Sequence, residues 1–245
     1  MAKDVCLLFD VDGTLTHPRS EISHEMLEYI RELQAEEYTL AVVGGSNETK
    51  IREQLGDSLF EEFDYAFPEN GVVAYDRRTR ISDESIQNFL GDEKIGFLMD
   101  STLRALSEIK IPKKRGTFIE LRKGLINISP IGRDCSQKER DEFEKYDHVY
   151  KVREKLIDRL QKEYGEKFGL KFSIGGQISF DVFPHGWDKT YCLQFLPEFR
   201  ELHFFGDKTE LGGNDHEIYI HPRTIGHKVG SYWDTIKVLN TVIPW

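Results

Sequence analysis

Val5-Cys6-Leu7-Leu8-Phe9-Asp10-Val11-Asp12-Gly13-Thr14 sets a five-residue apolar run directly against two aspartates and a glycine. An uninterrupted apolar run of this length reads as a parallel strand buried on both faces, and ligands of open α/β sheets bind at the carboxyl ends of such strands. Downstream, Ser23 is placed to cap a helix whose Met26, Leu27, Ile30 and Leu33 share one face. A second apolar strand, Leu40–Val43, runs into Gly44-Gly45-Ser46 and another helix. Two strand–loop–helix units in succession predict an α/β sheet with right-handed crossovers.

The pattern changes after about residue 80. Segments 117–122 and 125–129 flank Lys123-Gly124, and segments 172–174 and 178–183 flank Gly175-Gly176, so each pair reads as an antiparallel hairpin. Ser136-Gln137-Lys138-Glu139 is a capping box opening a helix between them. In the first hairpin Ile119, Leu121, Ile126 and Ile128 form an apolar face, with Arg122, Asn127 and Ser129 on the other; in the second, Ile178, Phe180 and Val182 alternate with Ser179 and Asp181. A polar sheet face of this kind suits either a ligand platform or a half-buried sheet turned to water. After Gly186 the α/β pattern returns, with a helix over 188–196, an apolar strand over 202–205 ending at Gly206-Asp207, and a strand expected over 217–220. The expected organisation is a discontinuous core, 1–80 with 187–245, carrying an inserted α+β domain, 81–186, with an antiparallel sheet.

The chain has 245 residues, with 33 Lys+Arg against 43 Asp+Glu, and the net charge of −10 argues against nucleic acid or an anionic membrane as partner. No apolar run approaches the roughly eighteen residues of a membrane span, and Met1-Ala2-Lys3-Asp4 leads into a strand, not a secretory signal. Cys6, Cys135 and Cys192 form no CxxC pair, which supports neither a disulfide framework nor a zinc site. A reduced, cytoplasmic protein is expected. From Arg104 to Arg140, ten Lys/Arg meet four Asp/Glu, a surplus of six positive charges in an otherwise acidic chain. Such a patch suits a small, highly charged anionic ligand or a solvated surface.

Asp10 and Asp12, two apart at a strand end, can point towards one site; carboxylates that close repel unless a cation such as Mg²⁺ lies between them. The alternative is an exposed acidic turn built on Asp12-Gly13. Ser46 can offer a hydroxyl to a phosphoryl oxygen or simply cap the next helix. Lys189 can neutralise a transferring phosphoryl group or lie on the surface. Asp207 adds a carboxylate at another strand end, and Asn214 and Asp215 are placed to orient the ligand set.

In this order the set resembles the haloacid-dehalogenase-type phosphotransferases, whose motifs lie on a Rossmann-like core. Longer stretches resemble the eukaryotic phosphomannomutase family: FDVDGTLT from Phe9, VVGGS from Val42, FPENG from Phe67, KKRGTFIE from Lys113, NISPIGR from Asn127, SIGGQISFDVFPHGWDK from Ser173 and FFGDKTELGGNDHEI from Phe204. The resemblance implies a Rossmann-like haloacid-dehalogenase core with an inserted α+β cap. It also implies interconversion of mannose 6-phosphate and mannose 1-phosphate, feeding GDP-mannose synthesis, with mannose 1,6-bisphosphate or glucose 1,6-bisphosphate as activator. By the same resemblance Asp10 is the nucleophile, Asp12 the general acid/base, and Ser46 and Lys189 stabilise the phosphoryl group. Mg²⁺ is held by Asp10, the Asp12 carbonyl and Asp207. Arg19, Arg122, Arg133 and Arg140 hold phosphate, Ser179 and Asp181 the sugar hydroxyls, and the chain forms a homodimer through the cap.

One departure from the family pattern stands out. Where the family holds a second, structural cation, with Tyr219 and Thr224 as ligands, this chain has His221 in place of an aspartate, and neutral imidazole is a poor ligand for Mg²⁺. Asn47 also replaces the common aspartate after Ser46. The competing reading is a cap-bearing sugar phosphatase of the same superfamily, which passes the phosphoryl group to water; a catalytically idle sugar-phosphate sensor is a third, disfavoured by the intact Asp10 and Asp12.

Overall fold

The computed structural model describes residues 4–18, 20–197 and 199–243. In chain order its elements are β1 (Val5–Asp10), α1 (His24–Ala35), β2 (Thr39–Val43), α2 (Glu48–Leu55), α3 (Leu59–Glu62), β3 (Tyr65–Phe67), β4 (Val73–Asp76) and β5 (Thr79–Asp83). There follow α4 (Ile86–Glu108), β6 (Ile119–Leu121), β7 (Ile126–Ile128), α5 (Gln137–Tyr150), α6 (Val152–Leu160), α7 (Glu166–Phe168), β8 (Leu170–Gly175) and β9 (Ser179–Pro184). The chain ends with β10 (Glu201–Gly206), α8 (His216–Tyr219), β11 (Ile225–Lys228) and α9 (Tyr232–Val242). These fall into two compact units, one running to Asp83 and resuming at Gly186, the other Glu84–His185.

The first unit is built on a seven-stranded sheet in the order β11-β10-β1-β2-β3-β4-β5, parallel from β11 to β3 and closed by an antiparallel β3-β4-β5 edge. All six residues of β1 are buried, as its apolar run predicts, because both faces of the sheet are covered. Leu7, Phe9, Leu40 and Val42 pack with Met26, Ile30 and Leu33 of α1 and Leu239 of α9 on one side; Cys6, Leu8, Ala41 and Val43 pack with Cys192, Leu193 and Ile218 on the other. Ser23 caps α1 by accepting from the Met26 N–H at 3.2 Å. Strand order reverses around β1, so the carboxyl ends of β1 and β10 meet at the crevice where such sheets bind ligands.

One expectation fails here. Residues 217–220 are not a strand: α8 closes as a helical turn, with Tyr219 N–H on the Asp215 carbonyl at 2.9 Å, burying Ile218 and exposing Ile220. The outermost strand is β11 instead. The helix expected over 188–196 is present as a 3₁₀ helix, Lys189–Phe195, capped by Asp188.

The second unit carries an antiparallel sheet in the order β6-β7-β9-β8. Ser136 and Glu139 form the expected capping box of α5. Ile126, Ile128, Phe180 and Val182 are fully or nearly fully buried. Leu121, expected on the same apolar face, is 38% exposed because β6 is an edge strand with a neighbour on one side only.

Candidate active site

Asp10 ends β1 at 4% exposure. The chain then turns tightly: Leu15 and Thr16 N–H groups both donate to the Val11 carbonyl, at 3.0 and 3.1 Å, and Gly13 N–H donates to Thr16 at 2.8 Å. Gly13 adopts φ 80°, and a Cβ there would lie 2.5 Å from Asp207 Oδ2, so only glycine lets the loop lie against that carboxylate. Asp207 follows the last residue of β10. Asp215, brought back by the Gly212-Gly213 turn, is fully buried and accepts from the Lys208 N–H at 2.9 Å. Oxygens of Asp10, Asp207 and Asp215 all lie within 4.8 Å of one another.

Lys189, 1% exposed, donates from Nζ to both Asp10 and Asp215. Burial disfavours its charge, but those two carboxylates outweigh the penalty and hold the ammonium above its ordinary range. Burial, helped by Asp215 and Asp207, pushes Asp10 up to about 7 against the opposing pull of Lys189. Burial raises Asp207 too, and its Oδ1 is buried with no hydrogen-bond partner among the described residues. Three carboxylates around one ammonium leave the space net negative, and an all-oxygen donor set with an orphaned buried oxygen fits a hard divalent cation.

The sequence reading gave Asp215 an orienting role; the structure puts its carboxylate in the cluster itself. The Asp12 side chain is not one of the three: Gln54 of α2 donates to its Oδ1 at 2.8 Å and reaches Thr16 Oγ1 at 3.3 Å. Gln54 went unnoticed in the sequence because nothing local marks it. Ser46 is half-buried and does not cap α2; Asn47 does, accepting from the Lys50 N–H at 3.0 Å. The Gly44–Ser46 loop is tied down by Asn70 and Glu69 N–H groups on the Gly44 and Ser46 carbonyls, each at 2.9 Å. Gly71 beside them has φ 99° and no room for a Cβ against the Cys192 backbone, which explains that part of FPENG. Arg19 lies outside the described residues.

In the second unit the polar sheet face is one hydrogen-bonded network. Asn127 and Asp181 are cross-strand partners, and Asn127 Nδ2 donates to Asp181 at 2.6 Å and to Ser179 Oγ at 3.0 Å. Arg133 Nη1 donates to Asn127 Oδ1 at 2.7 Å, and Glu120 engages both Arg122, at 2.7 Å, and Arg133, at 3.4 Å. Arg140 Nη2 donates to the Arg133 carbonyl at 3.0 Å. The structure thus brings together Arg122, Arg133, Arg140, Ser179 and Asp181, and adds Glu120 and Asn127. Burial raises the Asp181 pKa although Asn127 and the arginines oppose it. The β8–β9 turn is pinned by buried Arg153, whose Nη1 donates to the Gly176 and Ser179 carbonyls at 2.9 and 3.1 Å while its Nε pairs with Asp147 at 2.7 Å.

The family model for eukaryotic phosphomannomutase matches residues 26–244. This chain belongs to the eukaryotic phosphomannomutase family. A phosphomannomutase of Nicotiana benthamiana is 57% identical over 230 residues, covering 94% of this chain and 90% of that one. One from Galdieria sulphuraria is 55% identical over 234 residues, covering 96% and 92%. Among solved structures, a trehalose-6-phosphate phosphatase of Aspergillus fumigatus gives a TM-score of 0.59 at 13% identity, over 98% of this chain and 91% of that one. An IMP-nucleotidase of Plasmodium falciparum gives 0.61 at 15%, over 96% and 67%. At such identities these two speak for the fold alone, which is haloacid-dehalogenase-like.

The turn that carries His221 holds the two further cation ligands expected from the resemblance. Thr224 Oγ1 lies within hydrogen-bond reach of the Ile218 and His221 carbonyls, the latter at 3.0 Å, and His221 Nδ1 accepts from the Arg223 N–H at 3.2 Å. The Tyr219 carbonyl faces Gly226, where a Cβ would lie 2.4 Å from it. Tyr219 and Thr224 therefore sit in a turn held by its own hydrogen bonds. Among the described residues, the group of three acidic or imidazole side chains able to share a cation is Asp10, Asp207 and Asp215.

Proposed function

We propose that this chain is a phosphomannomutase that interconverts mannose 6-phosphate and mannose 1-phosphate by way of a phosphoryl group carried on Asp10. The observation that carries the reading is the buried cluster of Asp10, Asp207 and Asp215 on Lys189 in a chain of this family. Asp207, Asp215, Asp10 and the Asp12 carbonyl are the groups we assign to Mg²⁺, which when bound supplies positive charge to a loose phosphoryl transition state. A carboxylate needs no deprotonation to attack phosphorus, so Asp10 takes the phosphoryl group from a hexose 1,6-bisphosphate as the P–O bond to the sugar breaks. Asp12, oriented by Gln54, gives its proton to the departing sugar oxygen. When the free hydroxyl of an incoming hexose monophosphate attacks the phosphoryl group on Asp10, Asp12 takes that hydroxyl's proton, and the bisphosphate so formed turns end for end to return its other phosphoryl group to Asp10. Lys189 and Ser46 stabilise charge on the phosphoryl oxygens.

We assign Arg122, Arg133 and Arg140, with Arg19, to the phosphate that does not react, since guanidinium forks match phosphate with two directed hydrogen bonds. Glu120 holds two of these side chains in their arrangement and is displaced or shared when phosphate arrives. Ser179 and Asp181 take sugar hydroxyls. The same reading includes a homodimer through the second unit, a cytoplasmic setting and supply of mannose 1-phosphate for GDP-mannose. The test supplies mannose 1-phosphate, Mg²⁺ and trace glucose 1,6-bisphosphate. Accumulation of mannose 6-phosphate is expected; stoichiometric inorganic phosphate without the 6-phosphate would assign the chain to sugar phosphatases instead.

A further inference from the structure

The basic segment between Arg104 and Arg140 is only partly accounted for by the phosphate-holding arginines. Lys113 pairs with Glu142, Arg115 with Glu139, and Lys114 Nζ donates to the Leu106 carbonyl near the end of α4. Lys110 has no such use. It lines a cavity of about 350 Å³ in the second unit, where the ends of α4 and α5 meet α6. This cavity shares no residue with the Asn127–Asp181 network.

Its walls are chemically divided. Val152 and Leu156, both buried, contribute an apolar floor. Tyr146 and Tyr150 stack with ring centroids 4.2 Å apart and 26° between planes, and Tyr150 remains 53% exposed, so an aromatic surface is held in place but left uncovered. Lys110 and Lys155 are also in the lining, and no carboxylate pairs with either among the described residues. The one acid of the lining, Glu108, is already paired with Arg159. In an acidic chain whose cations are mostly engaged, two unpaired ammonium groups beside an uncovered aromatic stack define a preference: a flat ring bearing an anionic group. The volume lies at the small end of ligand sites, about 300–1,000 Å³.

We propose that this cavity binds a nucleoside 5′-phosphate. Its base lies against the Tyr150 face, its ribose over Val152 and Leu156, and its phosphate between Lys110 and Lys155. Stacking on tyrosine accepts any base, so the site discriminates the phosphorylated nucleoside from its parts more than one base from another.

Isothermal titration of the full chain with AMP and, separately, GMP tests this, alongside adenosine alone, inorganic phosphate alone, and the variants Tyr150→Ala and Lys155→Glu. Both side chains are exposed, so neither substitution disturbs the core. The expected result is saturable binding of one nucleotide per chain below about 1 mM, weakened about tenfold or more in each variant. Adenosine and phosphate should each bind more weakly than AMP, glucose 1,6-bisphosphate should leave the nucleotide in place, and added salt should weaken the complex. Absence of saturation in that range would overturn the proposal. So would equal affinity in the variants, or displacement of the nucleotide by glucose 1,6-bisphosphate, which would place the binding at the catalytic cluster.

Discussion

Asp10, Asp215 and Lys189 form a buried cluster in which one ammonium answers two carboxylates, so that losing Lys189 would strand both. Asp10→Asn keeps the shape of the side chain and removes the nucleophile. Turnover should fall by at least about 10³-fold while bisphosphate binding stays measurable by calorimetry. Gln54 is predicted to act by orienting Asp12: Gln54→Ala removes a donor to Asp12 Oδ1 and should lower kcat about 10- to 100-fold with little change in KM. A loss of folding stability with kcat unchanged would leave Gln54 a purely structural residue. Asp10, Asp12 and Lys189 were legible as candidates because each stands directly after a strand or at a helix start. Asp215 was legible only as an orienting group, and Gln54 not at all, since their contacts are to side chains or backbone that the fold, not the local sequence, brings near.

At the scale of elements, apolar runs and capping residues predicted β1, α1, α5 and both hairpins of the second unit. The pattern misled where burial is one-sided. Residues 217–220 look extended by composition, yet the chain must bury Ile218 alone and return Asp215 to the cluster, which a helical turn achieves. Leu121 fits strand parity but sits on an edge. The Arg153–Asp147 pair belongs to this scale too, because it fastens α5 and α6 to the turn before Ser179. Arg153→Ala would leave a buried, unpaired carboxylate, and urea unfolding should report a loss of about 3–5 kcal/mol. Gly13→Ala, forced against Asp207 at positive φ, should cost about 1–3 kcal/mol and weaken cation binding.

For the whole molecule, the alternation of apolar strands with helices and the order of motifs carried the fold class, a Rossmann-like core with an inserted α+β unit, whereas the β3-β4-β5 edge left no mark in the apolar pattern. Stability should depend on pH through His227, which packs on Phe205 and lies 2.8 Å from His203. Burial, with His203 beside it, pulls its pKa down to about 4. The unfolded chain therefore binds the extra proton first, so stability is fully present above about pH 6.5 and declines towards pH 4, by an order of 1 kcal/mol after solvent screening. His227→Gln should flatten that part of the melting-temperature profile. Added Mg²⁺ should raise the melting temperature of the native chain but not of Asp215→Asn, since only a state that binds the ion is stabilised by it.

The most direct measurement is to mix the enzyme with glucose 1,6-bisphosphate, quench in acid within the first turnover, and map the phosphorylated peptide by mass spectrometry. A labile phosphoryl group on Asp10, absent from Asp10→Asn and chased to sugar by mannose 1-phosphate, is the predicted result. A phosphoryl group on any other residue, or turnover by Asp10→Asn at the native rate, would contradict the account.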